Sequence, residues 1–352
     1  MIKYLGSKRV LIPQIVALVD ALPRIKTCFD VFSGTSRVGH ALKGRGYSVT
    51  ANDHNTYAHT LALCYVAADR AKVLKDATKL IEELRRVKPK AGWFTATYCE
   101  GARYFQPKNG ERIDAMREHI EKLSLSPELR AVLLVSLMEA ADRVDSTVGV
   151  QMAYLKSWAA RSSNDLELRV PDLVNGQGRA LCMDAKDAAV EVGSVDLAYL
   201  DPPYNQHSYR GNYHVWESLV QWDKPEVYGI AQKRTDVREH KSEFNSKKKI
   251  HAALGEVLDA LNARFLIVSF SNEGYIAPED MVTLLEARGR VHSVALDFKR
   301  YVGARIGIYN PSGEKVGAVG RLKNQEHLFL LDRDSALAKG KLLLETAMVK
   351  AL

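Results

Sequence analysis

The sequence is poor in cysteine and has no long apolar segment. No C-x-x-C pair occurs, and no histidine stands at zinc spacing from a cysteine, so we expect neither a disulfide framework nor a metal site. No run of about eighteen apolar residues occurs, and residues 1–9 lack a hydrophobic signal core. We therefore expect a cytoplasmic protein that does not associate with membranes. The four cysteines are Cys28, Cys64, Cys99 and Cys182.

Acidic residues are outnumbered by basic ones. The 352 residues contain 50 Lys and Arg against 42 Asp and Glu, and the formal net charge is +8. This balance suits a polyanionic partner, although an ordinary basic protein also reaches it. An apolar content of 46% is enough to bury a full core. Length and composition together predict one large domain, or one domain with a sizeable insertion.

Residues 11–53 have the pattern of an α/β unit. After a helical segment at 11–22, residues 27–32 read as a buried strand, and 33–39 as a glycine loop that opens a helix. A second strand at 47–51 leads to Asp53. The order of strand, glycine loop, helix, strand and acid is typical of the start of a doubly wound sheet.

A helical pattern then interrupts the sheet. Apolar spacing predicts helices at 71–87, 113–123, 127–144 and 150–160. Strand patterns resume at 180–183, 195–200 and 265–270, and weaker ones occur at 291–296 and 306–309. We therefore predict a sheet domain split into residues 1–54 and 176–334, a helical insertion at 55–175, and a helical tail at 335–352.

Two sites on this sheet carry candidate chemistry. Asp201-Pro202-Pro203-Tyr204 directly follows the strand at 195–200, at the edge where open α/β sheets bind ligands. Consecutive prolines fix the backbone so that its carbonyls face outward, which suits binding of a planar amine. A type I turn that only closes the strand is the alternative.

The second site is the glycine loop. Asp53 stands nineteen residues after Gly34, the spacing at which an acid meets ribose hydroxyls. A pyrophosphate fingerprint needs three glycines, whereas Ser36 and Arg37 occupy the close positions here. The loop therefore favours S-adenosylmethionine, which has no phosphate, over a nicotinamide dinucleotide. Asp184 ends a third strand, where it either meets the cofactor's adenine or caps the next helix.

These motifs resemble those of known methyltransferases. Residues 201–204 resemble the catalytic tetrapeptide of S-adenosylmethionine-dependent amino methyltransferases, and residues 32–36 their F-x-G-x-G motif, with Ser36 in place of the second glycine. Residues 3–8 resemble a further cofactor-side motif. The order of motifs resembles the DNA adenine methylases of the Dam-like class, including the modification methylases of type IIS restriction systems such as FokI. Segments supporting this resemblance are 102–110, 113–114, 141–144, 154–156, 205–209, 212–214 and 269–274, and it covers about residues 1–330.

The resemblance implies a Rossmann-like methyltransferase sheet, with the helical insertion as a target-recognition domain. It implies a site-specific enzyme that methylates the amino group of a flipped-out adenine in double-stranded DNA, with a cognate restriction endonuclease as a possible partner. The catalytic residues would be Asp201, Pro202, Pro203 and Tyr204. The cofactor-binding residues would be Tyr4, Lys8, Asp30, Phe32, Ser33, Gly34, Thr35, Asp53 and Asp184, with Lys8 near the methionine carboxylate.

The chemistry follows from what adenine requires. Its exocyclic amine is a poor nucleophile, and acceptance of its two hydrogens by the Asp201 carboxylate and the Pro202 carbonyl favours attack on the sulfonium methyl. The base must leave the duplex, and Tyr204 offers a face on which it can stack. Tyr209, Tyr213 and Trp216 follow closely and either line this pocket or pack a helix.

Basic and polar residues supply candidate DNA contacts. Arg103, Lys108 and Asn109 look like exposed groups in a loop of the insertion, suited to base edges or phosphates, and a solvated loop is the alternative. Residues 233–249 read as a mobile basic loop, whose lysines suit phosphate contacts. His207 and His214 lack the carboxylate partner of a zinc motif. The full set is Arg103, Lys108, Asn109, Tyr209, Lys247, Lys248, Lys249 and Arg300.

Two other functions remain open at this point. An RNA adenine methyltransferase of the same fold would carry a compact single-strand-binding module in place of the large helical insertion. A nucleic-acid-binding protein without catalysis would have little reason to retain Gly34 and an intact 201–204 tetrapeptide. The sequence determines neither the recognition site nor the oligomeric state.

Overall fold

A mixed β-sheet organises the chain. A computed structural model describes residues 1–239, 241–299, 308–309, 315–317, 323–337 and 344–346. The strands in these ranges are β1 (Thr27–Asp30), β2 (Ser48–Asn52), β3 (Arg179–Leu181), β4 (Ser194–Leu200), β5 (Val227–Tyr228), β6 (Lys233–Arg234), β7 (Asn262–Ser271), β8 (Arg290–Lys299), β9 (Ile308–Tyr309), β10 (Lys315–Gly317) and β11 (Lys323–Asp332).

Helices pack against this sheet, and along the chain they alternate with its strands. They are α1 (Ile12–Ala21), α2 (Arg37–Gly44), α3 (Thr56–Ala62), α4 (Arg70–Arg85), α5 (Trp93–Thr95), α6 (Pro107–Glu121), α7 (Pro127–Val144), α8 (Ala185–Val192), α9 (Tyr209–Asn212), α10 (His214–Gln221), α11 (Ile250–Ala260) and α12 (Pro278–Glu286). Short 3-10 segments lie at Lys8–Val10, Ala160–Ser163, Thr235–Arg238 and Glu243–Asn245. Of the helices described, none has the length and apolar character needed to cross a membrane.

Seven of the described strands form the main sheet, in the order β3-β2-β1-β4-β7-β11-β8. The pairs from β3 to β7 are parallel, whereas β11 is antiparallel to both of its neighbours. The order reverses after β1, which creates the switch point where doubly wound sheets bind ligands. The predicted α/β class with a helical insertion is confirmed, because α3 to α7 lie between β2 and β3.

Both faces of the sheet are buried. Phe29, Ala198 and Leu266 point to the side covered by α8, α11 and α12. Their neighbours Cys28 and Leu197 point to the side covered by α1 and α2. Successive side chains of a strand alternate between faces, so apolar residues at every position are expected where helices cover both sides. This explains why strands such as 195–200 read as continuous apolar runs.

The inserted helices have a core of their own. Apolar side chains of α3, α4, α6 and α7 form one cluster, which also includes Trp216 and Leu219 of α10. The start of α7 matches its sequence signals, because Pro127 occupies the first turn and the Ser126 hydroxyl accepts a hydrogen bond from the Leu129 N–H, 3.2 Å away. We call α3 to α7 the helical block. It packs on α10, directly after the candidate catalytic turn.

Some sequence-based expectations were wrong. Residues 150–160 form a loop, because Ser146 bonds their backbone: its carbonyl accepts from Leu155 N–H and its hydroxyl from Ala159 N–H. Arg161 pairs with Asp145 and fixes the other end of this loop. Strand β11 had no prediction. The predicted strand 306–309 is described only at β9, and most of the predicted tail at 335–352 lies outside the described residues.

The segment 233–249 is more ordered than its composition predicted. It contains β6 and two 3-10 segments. Arg234 is buried and its guanidinium bonds the carboxylates of Asp223 and Asp236. A buried, doubly paired arginine stabilises local structure and does not face solvent. The expectation of a wholly mobile basic loop is therefore wrong where the structure describes this segment, which excludes residue 240.

Candidate active site

A cleft opens where β1, β2 and β4 end. It is partly open to solvent, and side chains from several strand ends and from the segment before the first helix line it. Three carboxylates from neighbouring strand ends face it: Asp30, Asp53 and Asp201. Every predicted cofactor residue lines this cleft, namely Tyr4, Lys8, Asp30, Phe32, Ser33, Gly34, Thr35, Asp53 and Asp184. Asp201, Pro203 and Tyr209 line it as well, whereas Pro202 and Tyr204 are not among its lining residues. The cleft thus brings two of the four candidate catalytic residues to the candidate cofactor residues.

In the first half of the glycine loop, two residues have left-handed backbone conformations, which the sequence did not determine. Gly34 has φ +50°, and a Cβ on it would lie 3.2 Å from the Tyr4 ring. Ser36, at the position of the missing second glycine, has φ 58° and adopts the left-handed conformation without help from glycine. Its N–H donates to the Ser33 carbonyl, 2.6 Å away. The loop therefore makes a tight turn that brings backbone, not side chain, to the cleft at Gly34.

Asp53 holds this loop from β2. One carboxylate oxygen accepts a hydrogen bond from the Gly34 N–H at 3.0 Å, and the other accepts from the Asn55 backbone and side-chain N–H groups. Each carboxylate oxygen can accept about two hydrogen bonds, so the oxygen bonded to Gly34 can also receive a hydroxyl donor from the cleft. The nineteen-residue spacing thus corresponds to a direct contact between acid and glycine loop.

Asp30 is the most isolated of the three carboxylates. Its Oδ2 accepts from the Gly39 N–H at 3.1 Å, whereas Oδ1 is buried and has no hydrogen-bond partner in the described structure. Burial raises the pKa of Asp30 to about 7, with the charges of Asp201 and Asp53 adding to the rise. A buried acceptor that faces a cleft without a partner is suited to a ligand donor.

Asp184 caps a helix and also lines the cleft. Its side chain accepts a hydrogen bond from the Lys186 N–H and caps α8, and the residue also lines the cleft. On the same side, the Phe32 ring contacts the edge of Phe244 at 5.0 Å between centroids. These residues close the cleft at the end away from Asp201.

The candidate catalytic turn begins directly after β4. The Asp201 carboxylate lies 3.0 Å from the Lys8 ammonium, which also lies 2.8 Å from Glu326. Burial raises the pKa of Asp201, and Lys8 opposes that rise. The Tyr204 ring meets Phe270 edge-on, and burial raises the Tyr204 pKa to about 12, so its hydroxyl is neutral near pH 7. Pro202 is buried.

Tyrosines stack beside this turn. The Tyr4 ring stacks with Tyr209 and with Tyr213, at centroid distances of 5.1 and 4.7 Å. Tyr209 lines the cleft, which agrees with the first of the two positions expected for it, a pocket-lining one. Trp216, in contrast, is 1% exposed and packs in the core of the helical block, so the packing interpretation is correct for it.

The three candidate contacts in the insertion differ from one another. Arg103 is partly exposed, donates to the Lys156 carbonyl, and stacks its guanidinium over Trp158 at 4.8 Å. Lys108 is exposed and pairs with Asp165 at 2.7 Å. Asn109 is fully buried in α6, which begins at Pro107, so the expectation of an exposed loop residue is wrong. Its side chain bonds the backbone of Asn164 and Leu166.

We expect Asn109→Ala to lower stability and to leave the choice of ligand unchanged. The substitution removes the acceptor of the buried Leu166 N–H, and an unsatisfied buried donor costs about 1 to 3 kcal/mol. Denaturant unfolding measures this loss, and exposed Lys108→Ala is the matched control, with a change within about 0.5 kcal/mol. A stable Asn109→Ala protein with altered ligand preference would contradict the buried role.

The basic candidates after the turn lie at the cleft margin. Lys247, Lys248 and Lys249 are exposed, and Lys249 pairs with Glu243. They directly follow Asn245, which lines the cleft and whose side-chain amide donates to the Asn205 and His207 carbonyls. Arg300 lies outside the described residues.

No cluster of metal-ligating side chains occurs among the described residues. His214 is buried, its Nε2 contacts the Gln151 carbonyl at 2.9 Å, and burial lowers its pKa to about 3. His207 is partly buried beside the cleft margin. His214 therefore serves packing and hydrogen bonding in this fold.

Sequence analysis missed two site residues. Glu326 lies on β11 and reaches Lys8 from the far end of the chain. Arg210 lines the cleft and pairs with Asp236 at 2.6 Å and with Glu217. Neither has a local motif. Only the position of Arg210, six residues after Tyr204, carried a usable signal.

The sequence is similar to that of known proteins. Residues 4–284 match the family model described as D12 class N6 adenine-specific DNA methyltransferase. Modification methylase StsI of Streptococcus sanguinis is 29% identical over 326 residues, covering 86% of this chain and 49% of that protein. Type II methyltransferase M.FokI of Planomicrobium okeanokoites is 30% identical, covering 82% and 47%. Type II methyltransferase M.NlaIII of Neisseria lactamica is 29% identical, covering 78% and 84%. The chain thus spans about half the length of the first two relatives.

Proposed function

Because the chain belongs to the D12 class N6 adenine-specific DNA methyltransferases, we propose that it transfers a methyl group from S-adenosylmethionine to the exocyclic amino group of an adenine in duplex DNA. We propose that it does so as the modification enzyme of a restriction-modification system, as the relatives' names suggest. One observation carries the proposal: Asp201 and Pro203 line the same cleft as the glycine loop and Asp53.

The cleft fits the proposed methyl donor. Asp53 supplies an acceptor for a ribose hydroxyl, and its bond to the Gly34 N–H holds the glycine loop against the cleft. The unpartnered Asp30 Oδ1 suits the donor's ammonium group, and Asp184 suits its adenine amine. When bound, S-adenosylmethionine supplies an electrophilic methyl group on a sulfonium. The absence of a pyrophosphate-type glycine fingerprint supports this ligand over a dinucleotide.

The protein's contribution to chemistry lies at the tetrapeptide. We propose that the Asp201 carboxylate and the Pro202 carbonyl accept the two hydrogens of the target amine, which turns its lone pair toward the cleft. Asp201 must be ionised for this role. Lys8 favours the ionised form, because an adjacent positive charge stabilises a carboxylate.

The target adenine has to leave the helix to reach Asp201, because its amine is enclosed within the duplex. We propose that the flipped base stacks on Tyr204, whose ring is already held by Phe270. Tyr209 lines the cleft and is stacked on Tyr4. Aromatic faces of this kind are worth about 1 to 3 kcal/mol per stacked base.

We propose that the helical block supplies target recognition and the lysines supply phosphate contacts. Arg103 and Lys108 are accessible on the block, and Asn109 is withdrawn from this set because it is buried. The position of 55–175 between the cofactor and catalytic segments supports this assignment. A cognate endonuclease, and a location in the cytoplasm on DNA, complete the proposal.

Replacing Lys247 or Lys248 with Gln should weaken binding to all DNA duplexes alike. Removing one lysine–phosphate pair reduces the salt-dependence slope of binding by about one unit. The measurement is duplex affinity across a salt series, for a preferred and an unrelated sequence. Lys26→Gln, an exposed lysine directly before β1 and at the strand end opposite the cleft, is the control. Unequal weakening between the two sequences would assign these lysines to base recognition instead.

A substrate comparison tests the proposed function. Purified protein and labelled S-adenosylmethionine are incubated with duplex DNA, single-stranded DNA and structured RNA. We expect label in duplex DNA. Label mainly in RNA would favour an RNA adenine methyltransferase, and cofactor binding without transfer to any of the three would favour a catalytically inactive relative.

A further inference from the structure

Glu326 is a buried carboxylate at the candidate catalytic centre. It lies on β11, is 7% exposed, and contacts the Lys8 ammonium at 2.8 Å. The Ser269 hydroxyl of β7 donates to the same Glu326 oxygen at 2.6 Å. The second contact of Lys8 is Asp201 at 3.0 Å, so one buried ammonium lies between two carboxylates.

In this arrangement one ammonium, that of Lys8, forms ion pairs with two carboxylates, those of Asp201 and Glu326. A buried lysine beside a single carboxylate forms a neutral pair, in which the carboxylate is a weakened hydrogen-bond acceptor. With Glu326 present, the three side chains carry a net charge of −1, and Lys8 is held at a fixed position below Asp201. Asp201 then keeps acceptor capacity for a group arriving from the cleft.

We propose that Glu326 is a positioning residue for methyl transfer, which acts through Lys8 to fix the orientation and the charge of Asp201. The inference rests on the proposed function, since it assigns Asp201 a role toward the target amine. It adds a component from the antiparallel strand of the sheet, more than a hundred residues after the catalytic tetrapeptide. Glu326 itself does not line the cleft.

The direction of the pH effect follows from the charges around Asp201. Asp201 acts as an ionised acceptor, so activity is present above its pKa in the folded protein and is lost as pH falls through it. Glu326 raises this pKa and Lys8 lowers it. The other groups that face Asp201 are Asp30, Tyr199, Tyr204 and Tyr209, and the test leaves all four unchanged.

The first test is Glu326→Gln, assayed for methyl transfer to duplex DNA across pH. We expect kcat to fall about 10- to 100-fold, because displacement of a reacting group by about 1 Å costs about 100-fold. The acid limb of kcat should move to lower pH, because a negative neighbour of Asp201 is gone. KM for DNA and affinity for S-adenosylhomocysteine should stay unchanged.

A second pair of variants separates positioning from folding. Lys8→Met leaves Glu326 and Asp201 without their shared cation, so its acid limb should move to higher pH. Lys8→Met/Glu326→Gln should be more active than Lys8→Met alone, because it removes the uncompensated charge. Glu326→Asp keeps the charge with a shorter reach, and should retain the wild-type acid limb at reduced kcat.

Each outcome bears on one claim. If the wild-type protein methylates DNA adenine and Glu326→Gln lowers only the melting temperature, with kcat and the acid limb unchanged, the positioning role is wrong. The positioning role is also wrong if the double variant is no better than Lys8→Met, a comparison that stays informative if Glu326→Gln alone does not fold. If the wild-type protein transfers no methyl group to adenine, the proposed function itself fails.

Discussion

Asp201→Ala should lower methyl transfer by about 100-fold or more, since removal of one preorganised hydrogen-bonding group from such a site typically has that effect. The substitution removes the carboxylate that faces the cleft at the end of β4. Affinity for S-adenosylhomocysteine should change by no more than a few-fold, because we propose that Asp53 and the glycine loop, and not Asp201, are the main anchors of the cofactor. Single-turnover transfer and calorimetry measure the two quantities separately.

Two control variants test whether the loss of activity depends on the charge and on the position of the Asp201 carboxylate. Asp201→Asn keeps the shape of the side chain but loses the charge that Lys8 pairs with, so it should lose nearly as much activity as the alanine variant. Asp76→Ala, an exposed aspartate on α4, should behave as wild type. Near-normal turnover in Asp201→Ala would exclude the proposed role of the carboxylate.

Among the variants proposed here, Asp53→Ala should produce the largest loss of affinity for the cofactor. The side chain is expected to meet the ribose and it also holds the Gly34 N–H at 3.0 Å, so the substitution removes a ligand-binding group and loosens the loop. A charged hydrogen bond contributes about 1.5 to 3 kcal/mol, which corresponds to a loss of about 10- to 150-fold in affinity.

Calorimetry with S-adenosylhomocysteine measures this loss directly. Asp20→Ala is a matched control, because Asp20 is bonded to Arg45 and Tyr47 and does not line the cleft. Unchanged affinity in Asp53→Ala would reject the assignment of this carboxylate. Tighter binding of a nicotinamide dinucleotide by the wild-type protein would reject the cofactor.

The parts of the fold that depend on local pattern were predictable. Continuous apolar runs identified β1 and β4, because strands covered on both faces have no polar alternation. The α7 helix was predicted from its apolar spacing at its observed bounds, 127–144, and a serine cap and a proline stabilise its start. Motif order then brought the glycine loop and the tetrapeptide to one sheet edge, where the structure has them lining one cleft.

The parts that depend on long-range contact were not predictable. Strand β11 pairs with β7 and β8 as an antiparallel insertion between them, and its place in the sheet depends on partners distant in sequence. Asn109 looked exposed because its neighbours are polar, yet it is buried under the 162–166 backbone. Residues 150–160 had apolar spacing suited to a helix, but bonds to Ser146 fix them as a loop.

The contacts of Lys8 could be predicted only in part from its motif. Its position in the segment 3–8 indicated a residue of the cofactor side, and it does line the cleft. Its ammonium, however, contacts Asp201 and Glu326, a charge arrangement that no single segment encodes. A role toward the methionine carboxylate stays a prediction for Lys8, to be compared with its contact to the catalytic turn.

The most direct measurement is the identity of the methylated atom. Duplex DNA is incubated with the protein and isotope-labelled S-adenosylmethionine, digested to nucleosides, and analysed by mass spectrometry, with Asp201→Ala as the blank. We predict label in N6-methyldeoxyadenosine, confined to one sequence context. Label in methylcytosine, or no label above the Asp201→Ala blank, would contradict adenine methylation by this site.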